Sequence, residues 1–315
     1  MSLRCLISTS SFGKQAPASI ERLEAAGFEL RLNPYGRKLR KKETLELYLD
    51  ADVVIAGVED IDREVFANSP NLKVISRCGI GVDSVDLEEA RRRDIPVLVT
   101  PEPPALAVSE LTVGLIFALA RHICTASAAI HDGQWKPLLG VQISGKTLGI
   151  IGLGRVGRKV ARIMACAGME LYAHDPMLTR TSASQLNVTL CTLDALLADA
   201  DFVSLHVPLL PETKRLMNAN RLRQMKRGSF LINTARGGLI DEGALVENLK
   251  SCHLAGAALD VFEQEPYEGP LREVPNVIMT AHMGSYAAEA RIAMEGQAVE
   301  NLIQECRRLG LIEVA

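Results

Sequence analysis

The stretch Leu148-Gly149-Ile150-Ile151-Gly152-Leu153-Gly154-Arg155-Val156-Gly157 decides the fold class of this chain. An apolar run of β-type residues ends at Ile151, three glycines follow, and a helical pattern begins directly after them. Strand, glycine turn and helix in this order form the G-x-G-x-x-G fingerprint of a dinucleotide-binding βαβ unit. Gly152 permits the tight turn, Gly154 lets a pyrophosphate approach the backbone, and Gly157 allows close packing of the helix. The helix start then offers free N–H groups and the positive end of its dipole to phosphates.

Asp175 ends the next predicted strand, about 20 residues beyond the glycine turn, where an acid accepts hydrogen bonds from a ribose diol. A carboxylate at this place repels a 2'-phosphate, so the pattern favours NAD over NADP. Arg180 is close enough in sequence to offer a 2'-phosphate a counter-charge, which leaves the strictness of this preference open.

Two series of alternating strand and helix patterns divide the chain. The first runs over residues 3–99 and the second over residues 147–280. Such alternation predicts parallel βαβ units with right-handed crossovers, and hence two doubly wound α/β domains. Thr100-Pro101-Glu102-Pro103-Pro104 separates the first series from one long helix predicted over residues 105–130. A last helix is predicted over residues 286–309.

The composition argues against several classes of protein. The chain has 35 Lys and Arg against 38 Asp and Glu, a formal net charge of -3, so no basic field attracts nucleic acid or an anionic membrane. The seven cysteines form no Cys-x-x-Cys pair, and no His lies at metal-ligand spacing, which predicts reduced thiols and no metal. The N-terminus does not resemble a signal peptide, and charged residues interrupt the apolar stretch 106–130. We therefore expect a cytoplasmic protein with a small-molecule partner.

Three chemically capable side chains follow three consecutive predicted strands of the second series. Arg236 follows an apolar run that ends at residue 232, Glu265 one that ends at 259, and His282 one that ends at 279. Open parallel sheets bind ligands outside the carboxyl ends of their strands, so we expect all three at one edge with the glycine turn. Taken singly, Arg236 or His282 could cap a helix, and Glu265 could be a solvated loop acid.

Together these side chains suit reversible hydride transfer between a nicotinamide and C2 of a 2-oxo or 2-hydroxy acid. Arg236 would bind the carboxylate through two parallel hydrogen bonds. His282 would donate a proton to the carbonyl oxygen as the hydride arrives. Glu265, bonded to the other imidazole nitrogen, would fix the tautomer and favour the protonated ring.

A series of motifs in this order resembles the D-isomer-specific 2-hydroxyacid dehydrogenase family, and within it the phosphoglycerate-dehydrogenase-like branch. The resemblance covers nearly the whole chain. Its motifs are Arg77-Cys78-Gly79-Ile80-Gly81-Val82-Asp83, Val108-Ser109-Glu110-Leu111-Thr112, the glycine turn, His206-Val207-Pro208, residues 232–241, Ala257-Ala258-Leu259-Asp260-Val261-Phe262 and His282-Met283-Gly284.

The resemblance implies an α/β fold in which a Rossmann nucleotide-binding domain is inserted into a flavodoxin-like substrate domain. Residues 1–101 and 283–315 would form the substrate domain, and residues 102–282 the NAD-binding domain with dimerisation elements. The resemblance also implies a homodimer joined around the nucleotide-binding domains, with Gln134-Trp135-Lys136 at the interface.

The resemblance further implies a set of site residues. The implied catalytic residues are Arg236, Glu265 and His282, and the implied substrate contacts are Arg77, Gly79, Ile80 and Gly81. The implied NAD contacts are Gly152, Gly154, Arg155, Val156, Gly157, Asp175, His206, Val207, Pro208, Thr213, Thr234, Ala235, Asp260 and Gly284.

One loop departs from the pattern of the phosphoglycerate dehydrogenases. The loop after residues 53–56 usually supplies an Arg for the substrate phosphate, but here it is Gly57-Val58-Glu59-Asp60, and an acid pair there would repel a phosphate. Arg77 is kept, and Lys14 could substitute for the missing cation. The chain ends at Ala315 without the regulatory domain of some relatives, so inhibition by serine is not expected.

The leading hypothesis is an NAD-dependent D-2-hydroxyacid dehydrogenase that acts on CH–OH donors. Candidate substrates are 3-phosphoglycerate with phosphohydroxypyruvate, glyoxylate, hydroxypyruvate or another small 2-oxo acid, and the sequence does not choose among them. A hypothesis from another class is an NADH-sensing protein that binds a partner, as corepressor-like relatives do. Turnover of 2-oxo acids distinguishes the two.

Overall fold

The computed structural model describes residues 2–179 and 186–313, which form two compact units. The first unit consists of Met1–Pro104 and Tyr286–Ala315, and the second of Ala105–Ser285. Each unit is built on one parallel sheet with helices packed on it, which confirms the predicted fold class of two doubly wound α/β domains. Arg180 lies outside the described residues.

The sheet of the first unit has five strands in the order β2-β1-β3-β4-β5, all paired in parallel. This is the strand order of flavodoxin-like folds. The strands are β1 (Arg4–Ile7), β2 (Glu29–Leu32), β3 (Val53–Ala56), β4 (Val74–Arg77) and β5 (Val97–Leu98). The helices are Pro17–Ala25, Lys41–Tyr48, Arg63–Ala67, Leu87–Arg92 and Ala288–Arg308.

The last helix, Ala288–Arg308, packs on the sheet of the first unit. Its buried side chains Met294, Ala298, Val299, Leu302, Ile303 and Cys306 share one hydrophobic cluster with residues of β1, β3 and β4. Within this helix Asn301 Nδ2 donates to the carbonyl of Val99 at 3.0 Å, next to β5. The two ends of the chain therefore complete one core.

The sheet of the second unit has seven parallel strands in the order β12-β11-β10-β9-β6-β7-β8. The strands are β6 (Thr147–Ile151), β7 (Glu170–His174), β8 (Thr189–Leu190), β9 (Phe202–Leu205), β10 (Phe230–Asn233), β11 (Gly256–Leu259) and β12 (Val277–Met279). The strand order reverses between β6 and β9, and this switch point is where doubly wound sheets bind nucleotides.

Helices cover both faces of the second sheet. They are Pro103–Ala120, Ile123–His131, Arg155–Cys166, Leu193–Asp199, Ala219–Gln224 and Glu242–Lys250, with the 3-10 helices Gly237–Leu239 and Pro270–Glu273. Alternate residues of each strand belong to different cores: Leu231 packs in one cluster, and its neighbours Phe230 and Ile232 pack in the other. The rings of Phe202 and Phe230 stack with their centroids 4.7 Å apart.

The prediction of one long helix over residues 105–130 is wrong, because the chain forms two helices that break at His122. His122 has a φ of +52°, a left-handed conformation that a continuing helix excludes. The first of the two, Pro103–Ala120, is by length and composition long and apolar enough to cross a membrane. Half of it is buried, however, with Leu115 and Ile116 in the core of the second unit, and a core helix passes the same test.

Candidate active site

The glycine turn joins β6 to the helix Arg155–Cys166. Gly152 has a φ of +93°, a conformation that favours glycine, and a Cβ there would lie 2.6 Å from the carbonyl oxygen of His206. A Cβ on Gly157 would lie 2.2 Å from the carbonyl oxygen of Gly152, so only glycine allows the helix to pack this close. A Cβ on Gly154 would meet nothing within 4 Å. The backbone at the helix start is therefore open to a ligand.

Asp175 follows β7, and its carboxylate lies against the glycine turn. Oδ2 accepts a hydrogen bond from the N–H of Leu153 at 2.9 Å, and Oδ1 accepts one from the N–H of Met177 at 3.0 Å. The side chain is only partly buried. The structure thus brings the acid predicted for a ribose next to the turn predicted for phosphates.

The other residues predicted to contact a coenzyme lie at the same carboxyl edge of the second sheet. Arg155 and Val156 begin the helix after the turn, His206, Val207 and Pro208 follow β9, Thr234 and Ala235 follow β10, Asp260 follows β11, and Gly284 follows β12. Thr213 Oγ1 donates to the carbonyl of Pro208 at 2.6 Å, which closes that loop. The hydroxyls of Thr234 and Thr112 lie 2.8 Å apart, which ties the end of β10 to the helix Pro103–Ala120.

His206 is a neutral ring beside the glycine turn. Burial lowers the pKa of its imidazole to about 4, so the ring carries no charge at neutral pH. Its Nε2 lies 2.9 Å from the hydroxyl oxygen of Ser204, and the backbone N–H of His206 donates to the carbonyl of Ile151 at 2.7 Å. The residue therefore shapes this edge through its backbone and adds no cation to it.

His282 and Glu265 form a hydrogen-bonded pair, with His282 Nδ1 2.8 Å from Glu265 Oε2. The other carboxylate oxygen, Oε1, accepts from the N–H of Phe262 at 3.1 Å. A carboxylate only accepts, so Nδ1 carries the shared proton, and Nε2 is left to exchange a proton with a substrate. The side chains of His282 and Glu265 are 37% and 28% exposed, so solvent and small ligands can reach the pair.

Asp260 holds the loop that carries His282. The Asp260 carboxylate is buried and accepts from the Thr280 hydroxyl at 2.6 Å and from the N–H groups of Met283 and Gly284, each at 2.8 Å. The N–H of His282 itself donates to the carbonyl of Asp260 at 2.8 Å. These bonds fix His282 in a left-handed conformation with a φ of +51°. The sequence predicted Asp260 as a coenzyme contact and gave no indication of this positioning role.

Arg236 lies in the turn between β10 and the 3-10 helix Gly237–Leu239. Asn233 holds this turn, because its Nδ2 donates to the carbonyl of Arg236 at 2.9 Å and its Oδ1 accepts from the N–H of Ala235 at 3.0 Å. A Cβ on Gly237 would lie 1.8 Å from the carbonyl carbon of Phe262, so the turn packs directly on the backbone next to Glu265. The loops of the three predicted catalytic residues therefore form one packed group within the second unit.

The residues predicted to bind substrate lie in the first unit, at the end of β4. Arg77 is buried and donates to the carbonyl of Gly57 and, at 3.1 Å, to the hydroxyl of Ser84. Gly79 and Gly81 are partly buried, and Ile80 is exposed. Lys14, the cation suggested as a substitute for the missing Arg, is exposed on the loop after β1.

The two acids Glu59 and Asp60 have different environments in the structure. Glu59 is 1% exposed and bonded to groups inside the unit, whereas the side chain of Asp60 is 68% exposed, with Oδ2 3.9 Å from Lys38 Nζ. The sequence placed both acids in a loop and did not distinguish them.

Over residues 2–179 and 186–313, no group of three or more His, Cys, Asp or Glu side chains could hold a metal ion.

Comparisons with known proteins show which proteins this chain is similar to. Residues 113–284 match the family described as D-isomer specific 2-hydroxyacid dehydrogenase, NAD binding domain. The chain is 41% identical over 280 residues to D-3-phosphoglycerate dehydrogenase of Methanocaldococcus jannaschii, a match that covers 87% of this chain and 53% of that protein. It is 39% identical over 274 residues to hydroxypyruvate reductase of Thermotoga maritima, covering 85% of this chain and 89% of the reductase.

A solved structure is similar over almost the whole chain. A protein from Thermus thermophilus has 40% sequence identity and a TM-score of 0.87, over 96% of this chain and 97% of that one. The chain spans about half the length of the curated phosphoglycerate dehydrogenases it matches, 48% and 53% in two of them.

Proposed function

Because this chain belongs to the D-isomer specific 2-hydroxyacid dehydrogenase family, we propose that it transfers a hydride between NAD(H) and C2 of a small D-2-hydroxy or 2-oxo acid. The observation that carries this proposal is the pair of His282 Nδ1 and Glu265 Oε2, 2.8 Å apart, next to the turn that holds Arg236. His282 supplies a proton donor and Arg236 supplies a carboxylate-binding cation at one sheet edge.

The second unit suits the coenzyme of its family. The space in front of Gly154 and the N-terminus of the helix Arg155–Cys166 fit a pyrophosphate, and Asp175 beside them fits a ribose diol. When bound, NAD accepts or supplies the hydride. The loops that end in Thr234 and Gly284 would line the rest of the coenzyme.

Three side chains of the second unit have separate roles in this reaction. Arg236 binds the substrate carboxylate and fixes which face of C2 is presented. His282 Nε2 donates a proton to the carbonyl oxygen in reduction and takes it back in oxidation. Glu265 keeps the proton on Nδ1, holds the ring in place and stabilises the imidazolium that forms in the oxidative direction.

We propose that the first unit contains the substrate contacts implied by the resemblance. We assign residues 1–101 and 283–315 to a substrate domain and residues 102–282 to the NAD-binding domain, within a few residues of the two compact units. Arg77 ends β4, and Gly79, Ile80 and Gly81 follow it. The carboxyl ends of parallel strands are where such sheets bind ligands. Cytoplasmic location is also proposed, since the seven cysteines are free thiols. Recovery from a secreted fraction would argue against it.

His282→Ala should lower kcat for reduction of glyoxylate or hydroxypyruvate about 10²- to 10⁴-fold, because the reaction loses its proton donor. The Kd for NADH, measured by fluorescence, should change little. Glu265→Gln should lower kcat less, with Glu268→Gln, an exposed acid nearby, as the matched control. Full turnover by His282→Ala would contradict the assignment. If the wild type turns over no 2-oxo acid, an NADH-sensing protein becomes the better hypothesis.

We further propose that the enzyme prefers NADH to NADPH, because the Asp175 carboxylate lies beside the glycine turn and repels a 2'-phosphate. The wild type should show a higher kcat/KM with NADH. Asp175→Ser should lower the NADH-to-NADPH ratio of kcat/KM about tenfold or more. The ratio is the appropriate measure, because Asp175 also accepts from Leu153 N–H and the substitution affects the turn for both coenzymes. Equal rates with both coenzymes in the wild type would refute this preference.

A homodimer through the second unit is proposed from an exposed apolar surface. The helix Ile123–His131 has no buried residue, and Ile123 and Ile130 on it are 53% and 51% exposed. Trp135 and Leu139, in the segment that follows, are 91% and 97% exposed. Apolar side chains this exposed and this close in sequence are typical of an interface.

Trp135→Glu combined with Leu139→Glu should convert the dimer into a monomer, as measured by light scattering after size-exclusion chromatography. Charges at an apolar interface would be buried without partners. Met177→Glu, at another residue that is 89% exposed, is the control and should leave the mass unchanged. A monomeric wild type, or a double variant that stays dimeric, would rule out this interface.

A further inference from the structure

The peptide that joins Phe262 to Glu263 lies beside the loops of the predicted catalytic residues, and we call it the junction peptide. It consists of the carbonyl of Phe262 and the N–H of Glu263. A Cβ on Gly237, the residue after Arg236, would lie 1.8 Å from the carbonyl carbon of Phe262 and 2.3 Å from the nitrogen of Glu263. The turn of Arg236 therefore packs directly on the junction peptide.

The Glu265 carboxylate is bonded to the backbone next to the junction peptide. Its Oε1 accepts from the N–H of Phe262 at 3.1 Å, and its Oε2 lies 2.8 Å from His282 Nδ1. Phe262 thus bonds to Glu265 through its N–H and contributes its carbonyl to the junction peptide. Hydrogen bonds weaken steeply when their geometry is distorted, so a shift of this backbone would disturb the pair of Glu265 and His282.

Glu242 holds the junction peptide from another segment of the chain. Its Oε1 accepts from the N–H of Glu263 at 2.8 Å. The ring of Phe262, which is 9% exposed, also stacks on Tyr267 with the centroids 4.4 Å apart. The stacking restrains the ring, whereas the hydrogen bond restrains the peptide plane itself. Glu242 is therefore a side chain that orients the junction peptide.

The helix Glu242–Lys250 gives Glu242 a fixed position. Asp241 caps this helix, because its Oδ1 accepts from the N–H of Ala244 at 3.0 Å, and its own N–H donates to the carbonyl of Met217 at 3.1 Å. A side chain on a capped and packed helix can hold a neighbouring loop precisely. The buried residues of the helix that share one hydrophobic cluster with Phe262 are Ala244, Leu245, Val246 and Leu249.

The surroundings of Glu242 favour its role as an acceptor over its role as a charge. Burial raises the pKa of its carboxyl, the bond from the Glu263 N–H opposes this shift, and the charge of Glu263 adds to it. The Glu263 carboxylate itself lies 3.7 Å from Arg215 Nη2 in an exposed pair, which contributes little to the position of the loop. A neutral side chain with an oxygen acceptor should therefore replace Glu242 well.

We propose that Glu242 is a positioning residue that orients the junction peptide so that Glu265 keeps its bond with His282. The proposal rests on the proposed function and adds a residue to it. Glu242 exchanges no proton with the substrate, and its effect passes through the Glu265 carboxylate to the imidazole. Loss of the acceptor should lower kcat and leave the Kd for NADH unchanged, because the glycine turn and Asp175 follow other strands, β6 and β7.

Glu242→Ala should lower kcat for reduction of hydroxypyruvate or glyoxylate about tenfold, because Glu265 no longer holds the imidazole in place. Glu242→Gln keeps an oxygen acceptor and should stay within about threefold of the wild type. Glu247→Ala, at an exposed acid on the same helix, is the control and should leave kcat unchanged. Equal losses in the alanine and glutamine variants would overturn the proposal.

A double variant separates positioning from a general structural effect. In a His282→Ala background, Glu242→Ala should cause no further loss of kcat, because both substitutions act through the same imidazole. A second loss of about tenfold in that background would overturn the proposal. Glu242→Met keeps the length of the side chain without an oxygen acceptor, so it replaces the alanine variant if that variant does not fold.

Nuclear magnetic resonance of the histidine rings tests the same step without turnover. The chain has six histidines, so isotope-labelled histidine gives few signals, and the His282 signal is the one absent from His282→Ala. In the neutral ring, the wild type and Glu242→Gln should carry the proton on Nδ1. Glu242→Ala or Glu242→Met should shift the ring towards the mixture of tautomers of a histidine in water.

The resonance measurement also separates this inference from the proposed reaction. If the wild type reduces no 2-oxo acid, the proposed function fails, and the tautomer of His282 still decides the role of Glu242. A folded Glu242→Ala or Glu242→Met with the His282 spectrum of the wild type overturns the inference.

Discussion

The hydrogen bonds accepted by the Asp260 carboxylate are the interactions on which the position of His282 in the second unit depends. The carboxylate satisfies three donors of the segment after β12 and is itself buried at the end of β11. Hydrogen bonds to a charged acceptor contribute roughly 1.5–3 kcal/mol each, whereas a left-handed conformation of a residue such as His282 costs about 1–3 kcal/mol. The bonds outweigh the strain, so the loop holds His282 in a conformation that neither helix nor strand would impose.

The parallel pairing of the strands in the second sheet places the His282 loop beside the loops of the other predicted catalytic residues. β10, β11 and β12 are neighbours, so the segments that follow them emerge side by side. Two glycines then allow backbone segments to touch: Gly157 against the turn at Gly152, and Gly237 against the peptide after Phe262. A side chain at either glycine would push apart loops that carry predicted site residues.

Much of this could be predicted from the sequence because the signals are local. The strand, glycine turn and helix at residues 148–157 form a contiguous pattern, and the order of apolar runs correctly predicted that Arg236, Glu265 and His282 follow adjacent strands. Features that depend on long-range contacts could not be predicted. The periodicity of residues 105–130 is helical throughout, and only the backbone at His122 shows the break.

The environment of Glu59 in the first unit could not be predicted either. In the sequence it is a loop acid next to Asp60, and nothing local indicates that its carboxylate is buried against Tyr48 and Ser8, residues 11 and 51 positions away. Asp260 is similar, because its partners come from a strand end 20 to 24 residues later. Both acids were singled out through the family resemblance, Asp260 as an implied coenzyme contact and Glu59 in the departing loop, but their partners are set by the order of the strands.

We propose that the second unit recognises, through Arg236, the carboxylate shared by all 2-oxo acids and reduces the carbonyl beside it. The most direct measurement compares NADH oxidation with hydroxypyruvate and with hydroxyacetone, which has a methyl group in place of the carboxylate. The wild type should favour hydroxypyruvate in kcat/KM by about 10³-fold or more, since a bidentate charge-assisted contact and its orienting effect are lost with the ketone. Arg236→Gln should remove most of that difference. Comparable rates with both compounds in the wild type, or an undiminished preference in Arg236→Gln, would contradict the claim.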